Sequence, residues 1–80
     1  MHYVYLIRSI LYPGKTYIGN TVDIEQRLAT HNSGGSPHTK LHRPWELVLM
    51  LGFKDKLKAT AFEKYLKSGS GSAFARKRFW

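Results

Sequence analysis

The sequence lacks cysteine and has few acidic side chains, only 5 Asp and Glu among 80 residues. Without cysteine the chain can form neither disulfide bonds nor thiolate metal sites, so its core must be hydrophobic. The longest apolar run, residues 47–51, is too short to span a bilayer, and no charged-then-apolar leader precedes the first strand-like segment. These absences favour one small cytoplasmic domain over residues 1–80, with no room for a second, DNA-addressing domain.

The scarcity of acidic residues leaves a strongly basic chain, because 13 Lys and Arg give a formal net charge of +8. Such an excess is typical of proteins that bind polyanions, so the first partner to expect is nucleic acid, either DNA or RNA. A merely solvated basic surface would have the same composition. Membrane binding is disfavoured, because the basic stretches are not paired with a long apolar stripe. We expect a monomer or a weak dimer.

The first twenty residues predict a β-hairpin. Residues 2–8 alternate aromatic and β-branched side chains, and residues 15–19 form a second strand-like segment after the turn-forming pair Pro13-Gly14. Gly19 fits the turn out of the second strand, where the missing Cβ would let backbone or ligand approach; a plain turn glycine is an equal alternative.

The rest of the chain alternates loop, strand and helix. Residues 33–44 have no apolar period and predict a loop, whereas residues 45–53 are apolar at both parities and predict a strand covered on both faces. Helices are predicted over residues 56–68, with Gly69 as the stop, and over residues 73–79. The order β-β-α-β-α-α predicts an α+β fold in which a three-stranded antiparallel sheet is flanked by helices.

Residues 22–32 predict an amphipathic helix with Asn20 or Thr21 as its cap. Arg27 and His31 lie one turn apart on an edge of its apolar stripe, so both would stand at the border between core and solvent and could face one cleft. The alternative is a surface arginine and a histidine that favours the negative end of the helix dipole.

Glu63 occupies a similar border position on the second predicted helix, and its ordinary alternative is a solvated carboxylate paired with Lys67 at i+4. With only five carboxylates in the chain, a two-metal cluster would be hard to assemble. Zinc hydrolysis is also disfavoured, since there is no H-E-x-x-H motif and His38 and His42 lie in a loop bounded by prolines.

Tyr5 and Tyr17 lie on the two strands of the predicted hairpin, where tyrosines usually pack with a solvated hydroxyl. If the strands pair, the two phenols can meet at one end of the sheet. A phenol can act as a general base only where positive charge lowers its pKa, and Arg27, a bound cation or Lys15 could supply that charge.

A family resemblance rests on an ordered set of residues: Tyr3-Val4-Tyr5, Tyr17-Ile18-Gly19, the pair Arg27 and His31, and Glu63. In this order they resemble the GIY-YIG nuclease family, particularly its small standalone bacterial branch. The resemblance runs over nearly the whole chain and implies a three-stranded sheet flanked by helices.

The same resemblance implies a Mg²⁺-dependent (or Mn²⁺-dependent) endonuclease that cleaves DNA, selects DNA structures or ends, and serves in DNA repair or processing. Glu63 would bind the metal, and either Tyr5 or Tyr17, with Tyr5 favoured, would activate water. Arg27 and His31 would stabilise the transition state or the leaving group.

A missing asparagine and the high charge favour an alternative, a catalytically inactive nucleic-acid-binding module. Many family members place an asparagine after the glutamate, whereas this chain has none beyond Asn32. The first tyrosine motif also departs from the family pattern, since it is Tyr-Val-Tyr rather than Gly-Ile-Tyr, but its last tyrosine is kept and this variant resembles the standalone branch. A serine at position 68, 70 or 72 could substitute for the asparagine. The other interpretations of the segment from Ser68 to Ser72 are a connector between two helices and a phosphate-binding site at a helix N-terminus.

Exposed cations near the third strand, on the second helix and near the C-terminal residue predict a track for the phosphate backbone. The predicted nucleic-acid-binding residues are Lys15, Lys54, Lys56, Lys64, Lys67, Arg76, Lys77 and Arg78.

Overall fold

The computed structural model describes residues 1–80 and confirms the predicted α+β architecture, with the element order β-β-α-β-α-α. The elements are β1 (His2–Ser9), β2 (Thr16–Thr21), α1 (Ile24–Ser33), β3 (Trp45–Phe53), α2 (Lys56–Lys67) and α3 (Gly69–Arg78). The predicted loop 33–44 also contains one short 3₁₀ turn, Lys40–His42.

The three strands form one antiparallel sheet in the order β2-β1-β3, so the first strand of the chain is the central one. In the register, Tyr5 pairs with Gly19 and Ile7 pairs with Tyr17. Tyr5 and Tyr17 are therefore diagonal neighbours on one face of the sheet rather than directly opposed.

Alternation along β1 sends its side chains to two separate cores. Val4 and Leu6 pack with Ala59, Leu66 and Ala75 of α2 and α3. On the other face, Tyr5 and Ile7 pack with Trp45 and with the half-buried Ile24 and Leu28 of α1. The sheet thus lies between α1 and the pair α2–α3.

The predicted cap of α1 is wrong, because Asp23 caps the helix and not Asn20 or Thr21. The Asp23 Oδ1 atom accepts from the backbone N–H of Gln26 at 3.1 Å, while the Thr21 hydroxyl accepts from the N–H of Asp23. A carboxylate is a strong cap because it satisfies a free N–H and complements the helix dipole. The helix ends at Ser33 and is capped by Gly34, whose φ of 86° suits glycine.

The prediction that β3 is covered on both faces is also wrong. β3 is an edge strand, and Leu47 and Met50 remain 38% and 48% exposed on the α1 side. α1 is too short to cover that face fully. The gap is an open groove of about 610 Å³, lined by Tyr3, Val22, Asp23, Ile24, Glu25, Leu47 and Met50.

The prediction that Gly69 ends the second helix is wrong. Gly69 is the first residue of α3, which starts four residues earlier than predicted. Ser68 joins the two helices, since its hydroxyl donates to the Tyr65 carbonyl at 2.6 Å and accepts from the Gly71 N–H at 3.2 Å. A Cβ on Gly71 would overlap the Tyr65 carbonyl, so glycine permits this close crossing.

None of the helices combines the length and the apolar character that a bilayer crossing requires.

Candidate active site

Tyr5 stands at the centre of the candidate site, on the central strand and with its ring on the α1 face. The residue is only 2% exposed. Its hydroxyl oxygen lies 2.8 Å from His31 Nε2, and the Nε–H of Arg27 donates to the same oxygen at 3.2 Å. Three of the predicted site residues therefore meet at one oxygen atom.

The helix α1 supplies both partners of Tyr5, as the one-turn spacing of Arg27 and His31 predicts. Arg27 is exposed, whereas His31 is completely buried and does not lie at the solvent border as predicted. The reason is Thr39, in the segment that follows α1, which covers the imidazole. Its hydroxyl oxygen lies 2.7 Å from His31 Nδ1.

Tyr17, half-buried on the edge strand β2, completes the aromatic part of the cluster. Its ring centroid lies 6.4 Å from that of Tyr5 and 5.2 Å from that of His31. The two tyrosines thus meet on one face of the sheet, although one phenol is buried and the other is more accessible.

Glu63 reaches this cluster from α2 through Lys67. The Lys67 ammonium lies 2.8 Å from Glu63 Oε2 and 5.9 Å from the centroid of the Tyr17 ring. The Glu63 side chain is 21% exposed, so its carboxylate stays accessible. The i,i+4 ion pair weighed in the sequence as the ordinary alternative is therefore present, and it lies against the tyrosine cluster.

Burial and charge set the protonation of the buried pair. Burial raises the pKa of Tyr5; the hydrogen bond and positive charge of Arg27 oppose this rise, and the negative charges of Tyr17 and Glu63 add to it. Burial, followed by repulsion from Arg27, lowers the pKa of His31. His31 is therefore neutral at pH 7. Lys15, predicted as a possible activator, is not among the charges that act on Tyr5.

The donor set around Glu63 fits a hard divalent cation held by one protein carboxylate. The structure contains no group of three or more His, Asp or Glu side chains that could enclose a metal. Mg²⁺ commonly keeps several waters and takes substrate phosphate oxygens beside one or two carboxylates, so Glu63 suffices. A bound cation would share or replace the Lys67 contact.

The open groove beside β3 is a poorer candidate for the active site. None of the predicted catalytic residues lines it, and two of its seven lining residues are the carboxylates Asp23 and Glu25. Negative charge there would repel a phosphate backbone. The Tyr5 cluster is therefore the better candidate for the active site.

The predicted phosphate-binding cations are all exposed and most lie on one side of the sheet. Lys54 lies just before α2, and Lys56, Lys64 and Lys67 lie on it. The cations at positions 76–78 occupy the last turn of α3, which packs against α2. Lys67 alone of these is shown beside the tyrosine cluster. Lys15 lies apart, in the β1–β2 connection, where its backbone N–H donates to the Tyr12 carbonyl.

Two residues that position the site were missed in the sequence. Thr39 is fully buried against His31, and the Nε1–H of Trp45 donates to its carbonyl at 2.8 Å. The Asn32 side chain joins α1 to β3, since its amide donates to the Trp45 carbonyl and its oxygen accepts from the Trp45 N–H. No periodic pattern identifies either residue; the only sequence signal is the length of the loop, which is typical of functional segments.

Comparisons with known proteins agree with this geometry. The family model of the GIY-YIG catalytic domain matches residues 1–78. The chain is 41% identical over 71 residues to the structure-specific endonuclease subunit SLX1 of Candida dubliniensis, covering 80% of this chain but 25% of that relative. It is 39% identical over 70 residues to a UPF0213 protein of Staphylococcus haemolyticus, covering 86% of this chain and 83% of that protein.

A solved structure supports the same assignment. The solution NMR structure of a UPF0213 protein from Bacillus halodurans superposes with a TM-score of 0.56 at 30% identity, covering 95% of this chain and 82% of that one. The chain spans only a small part of the length of its fungal relatives: 25% of the Candida dubliniensis protein and 14% of the Malassezia globosa protein. With nearly all of its residues matched by the family, and its tyrosine, arginine and histidine side chains gathered at one oxygen, this chain belongs to the GIY-YIG family of catalytic domains.

Proposed function

We propose that this protein is a metal-dependent endonuclease that hydrolyses phosphodiester bonds of DNA. The observation that carries the proposal is the convergence of Arg27 and His31 on the Tyr5 oxygen, with an accessible carboxylate, Glu63, at the edge of the same cluster. Selection of DNA structures or ends, and a role in DNA repair or processing, are part of this proposal. The name of the fungal relatives, structure-specific endonuclease subunit, supports the selection of structures.

Arg27 is suited to hold the scissile phosphate. Its Nε–H is engaged by Tyr5 and the guanidinium also interacts with Tyr17, while the residue as a whole is exposed, so guanidinium N–H groups remain that could face a phosphate. A planar guanidinium binds phosphate oxygens at fixed geometry and stabilises the extra charge that develops in the transition state.

The phenols Tyr5 and Tyr17 are the candidates for activating water, and Tyr5 is the better placed. Burial raises the pKa of Tyr5, and the Arg27 N–H that its oxygen already receives opposes part of this rise by favouring the charged phenol. In the hydrolytic step Tyr5 must first lose its own proton to solvent. The water oxygen then bonds to phosphorus, the water proton passes to the phenolate oxygen, and the bond to the leaving oxygen breaks as that oxygen takes a proton from solvent. A divalent ion at Glu63, Mg²⁺ or Mn²⁺, would supply Lewis-acid stabilisation of the phosphate and leaving oxygens.

The experiment that tests this proposal is cleavage of end-labelled branched, nicked, flapped and single-stranded DNA, and of matched RNA, with Mg²⁺, with Mn²⁺ and with EDTA. We expect metal-dependent cleavage of at least one DNA. Glu63→Gln and Arg27→Gln should lower kcat by orders of magnitude while DNA affinity stays near wild type. Glu25→Gln, an exposed change on α1 outside the tyrosine cluster and the predicted phosphate track, is the control for a lost carboxylate charge. Cleavage that survives Glu63→Gln would remove the metal assignment.

A second candidate function is a catalytically inactive module that binds DNA or RNA. It is favoured by the contact between Glu63 and Lys67, which engages the proposed metal ligand internally, and by the lack of asparagine beyond Asn32. This candidate predicts tight, strongly salt-dependent binding and no metal-dependent cleavage of any substrate. Cleavage that depends on Glu63 eliminates it.

A further inference from the structure

Four large apolar side chains on two connections of the chain belong to neither core and lie exposed to solvent. They are Ile10, Leu11 and Tyr12 of the β1–β2 connection and Leu41 of the 3₁₀ turn, and each is more than half exposed. We call this group the apolar tip. A cluster of exposed apolar side chains commonly marks a surface that contacts a partner, and the chemistry proposed above uses none of these residues.

Hydrogen bonds join the two connections and fix the backbone of the apolar tip. The buried Ser9 hydroxyl donates to the His42 carbonyl at 2.6 Å and accepts from the Tyr12 N–H at 3.0 Å. The Ile10 N–H donates to the Pro44 carbonyl at 2.9 Å. The rings of Tyr12 and His42 also meet edge to face, with their centroids 5.4 Å apart. Because this backbone is held in place, little conformational entropy is lost when a partner binds.

The charge around the apolar tip favours nucleic acid as the partner. Lys15, in the β1–β2 connection, and Arg43, directly after the 3₁₀ turn, are both exposed. Residues 1–22 and 26–45, which include both connections, contain no Asp or Glu, and the next carboxylate, Glu46, lies on β3. Nucleic acid combines apolar base faces with phosphate charges, so it matches an apolar surface bordered by cations. The groove beside β3 lacks this match, since two carboxylates line it.

The apolar tip also adjoins the candidate active site. Lys15 lies two residues before Tyr17, a spacing of about 7 Å along an extended chain. Thr39, the residue before the 3₁₀ turn, packs against His31 of the tyrosine cluster, with its hydroxyl oxygen 2.7 Å from Nδ1. A nucleic acid strand advances about 3.4 Å per nucleotide, so bases within a few nucleotides of a phosphate at Arg27 can reach the tip.

We propose that the apolar tip is a binding site for unpaired bases beside the phosphodiester bond held at the Tyr5 cluster. Tyr12 supplies the ring on which a base stacks, and the three aliphatic side chains cover the base faces around it. In a continuous duplex each base is already stacked between its neighbours, so the tip can enter only by unstacking a step at a cost in free energy. The position of this site next to the scissile bond rests on the proposed function, whereas the binding of unpaired bases does not.

The deciding measurement compares the affinity of the full chain for two labelled DNA duplexes of equal length, one fully paired and one with a central stretch of mismatched bases. Both carry the same number of phosphates, so the electrostatic attraction is matched. EDTA prevents metal-dependent cleavage during the titration. We expect the mismatched duplex to bind about fivefold more tightly or better, and to quench a 2-aminopurine placed among its unpaired bases. Equal affinity for the two duplexes overturns the proposal.

Variants of the apolar tip test which side chains hold the bases. Tyr12→Ala should remove most of the preference for the mismatched duplex, while affinity for the paired duplex stays near wild type because the phosphate contacts remain. Tyr12→Phe keeps the ring and should keep the preference. Val22→Ala, at an exposed apolar position outside the tip, is the control. A preference that survives when Tyr12→Ala is combined with Leu41→Ala, or that falls equally in Val22→Ala, contradicts the proposal.

An anionic membrane is the other surface that an apolar tip bordered by cations fits, and vesicles of phosphatidylserine and phosphatidylcholine test it. Vesicle binding that is lost in Tyr12→Ala, together with equal affinity for the two duplexes, would assign the tip to a lipid surface instead. A tip-dependent preference for mismatched DNA without cleavage of any nucleic acid would support this inference and defeat the nuclease proposal. Metal-dependent cleavage with equal affinity for the two duplexes would do the reverse.

Discussion

The Tyr5 ring lies directly over Gly19, its partner across β1 and β2, and occupies the space that a side chain at position 19 would need. A Cβ built on Gly19 would overlap the Tyr5 hydroxyl and the adjacent ring carbons. The backbone at Gly19 does not have a positive φ, so the need for glycine is one of space. The prediction that Gly19 lies in the turn out of the second strand is wrong, because Gly19 lies inside β2. The missing Cβ does permit a close approach, but the approaching group is the Tyr5 side chain and not backbone or ligand.

We therefore expect Gly19→Ala to displace the Tyr5 hydroxyl from Arg27 and His31. The clash should cost about 1–3 kcal/mol of stability, as overpacking does, and should lower kcat more than it lowers the thermal midpoint. Gly14→Ala is the matched control, because a Cβ there meets nothing within 4 Å. Equal kcat in the two variants at a temperature where both are folded would contradict the packing argument.

The ion pair between Lys67 and Glu63 predicts competition with a divalent cation. Replacing Lys67 by Met should free the carboxylate and lower the apparent Kd for Mn²⁺, measured by calorimetry without DNA, by roughly threefold to tenfold, the equivalent of about 1 kcal/mol. Because the pair is partly exposed, the folded state should lose only about 0.3–0.5 kcal/mol.

Lys64→Met is the control for this experiment, since Lys64 is an exposed lysine on the same helix without an ion pair. A Kd for Mn²⁺ that changes equally in both variants would show that only net charge matters. No heat of binding in any variant would argue that Glu63 is not a metal ligand.

The buried imidazole of His31 predicts the stability of the protein in mild acid. The pKa of His31 is lower when folded, through burial and then Arg27, than its ordinary value of about 6.5 when unfolded. Between these two values the unfolded chain binds more protons, so the free energy of unfolding falls as pH drops below about 6.5 and levels off below the folded pKa.

Urea denaturation between pH 5 and 7.5 measures this slope. It should shrink in His31→Gln and persist in His38→Gln, a control at an exposed position. At the alkaline end the sign reverses for Tyr5: its raised pKa means that the folded state holds the proton more tightly, so stability is lost as pH rises above about 10.

The basic last turn of α3 predicts the salt dependence of DNA binding. Replacing Arg76, Lys77 and Arg78 together by Gln should reduce the slope of log K against log salt by roughly 2 to 3, since each neutralised phosphate contact contributes about 0.7–0.9. Single changes compare Lys77→Gln with Lys40→Gln, an exposed lysine outside the proposed track. Equal slopes for these two would place the phosphate track elsewhere.

The fold was predictable from the sequence wherever the pattern is local. The alternation of β1 and the apolar run of β3 predict those strands because strand pairing follows from such patterns, and β3 has the predicted bounds 45–53. The start of α3 was not predictable, because the segment from Ser68 to Ser72 has poor helix propensity. Tertiary packing overrides it, since Gly71 lies against the α2 backbone and Ala75 is buried with Leu66.

In the candidate site, too, some features were predictable from the sequence and others were not. Family resemblance selects Tyr5, Arg27 and His31, and the one-turn spacing of the last two places them on one edge of α1. The burial of His31 and the role of Thr39 could not be predicted, because they depend on how a loop without apolar period folds back over the helix. Contacts between distant, non-periodic segments become known only from coordinates.

The central place of β1 gives the site one fixed and one adjustable half. Its amides are bonded on both edges and its side chains are covered on both faces, so exchange with solvent deuterium around Tyr5 should require opening of the whole domain. Glu63, by contrast, is held near the cluster by a single outer helix and a partly exposed lysine. On the proposed function, adjustment to DNA of different shapes would fall to the Glu63 and Lys67 side chains, while the phenol, the guanidinium and the imidazole keep their mutual geometry.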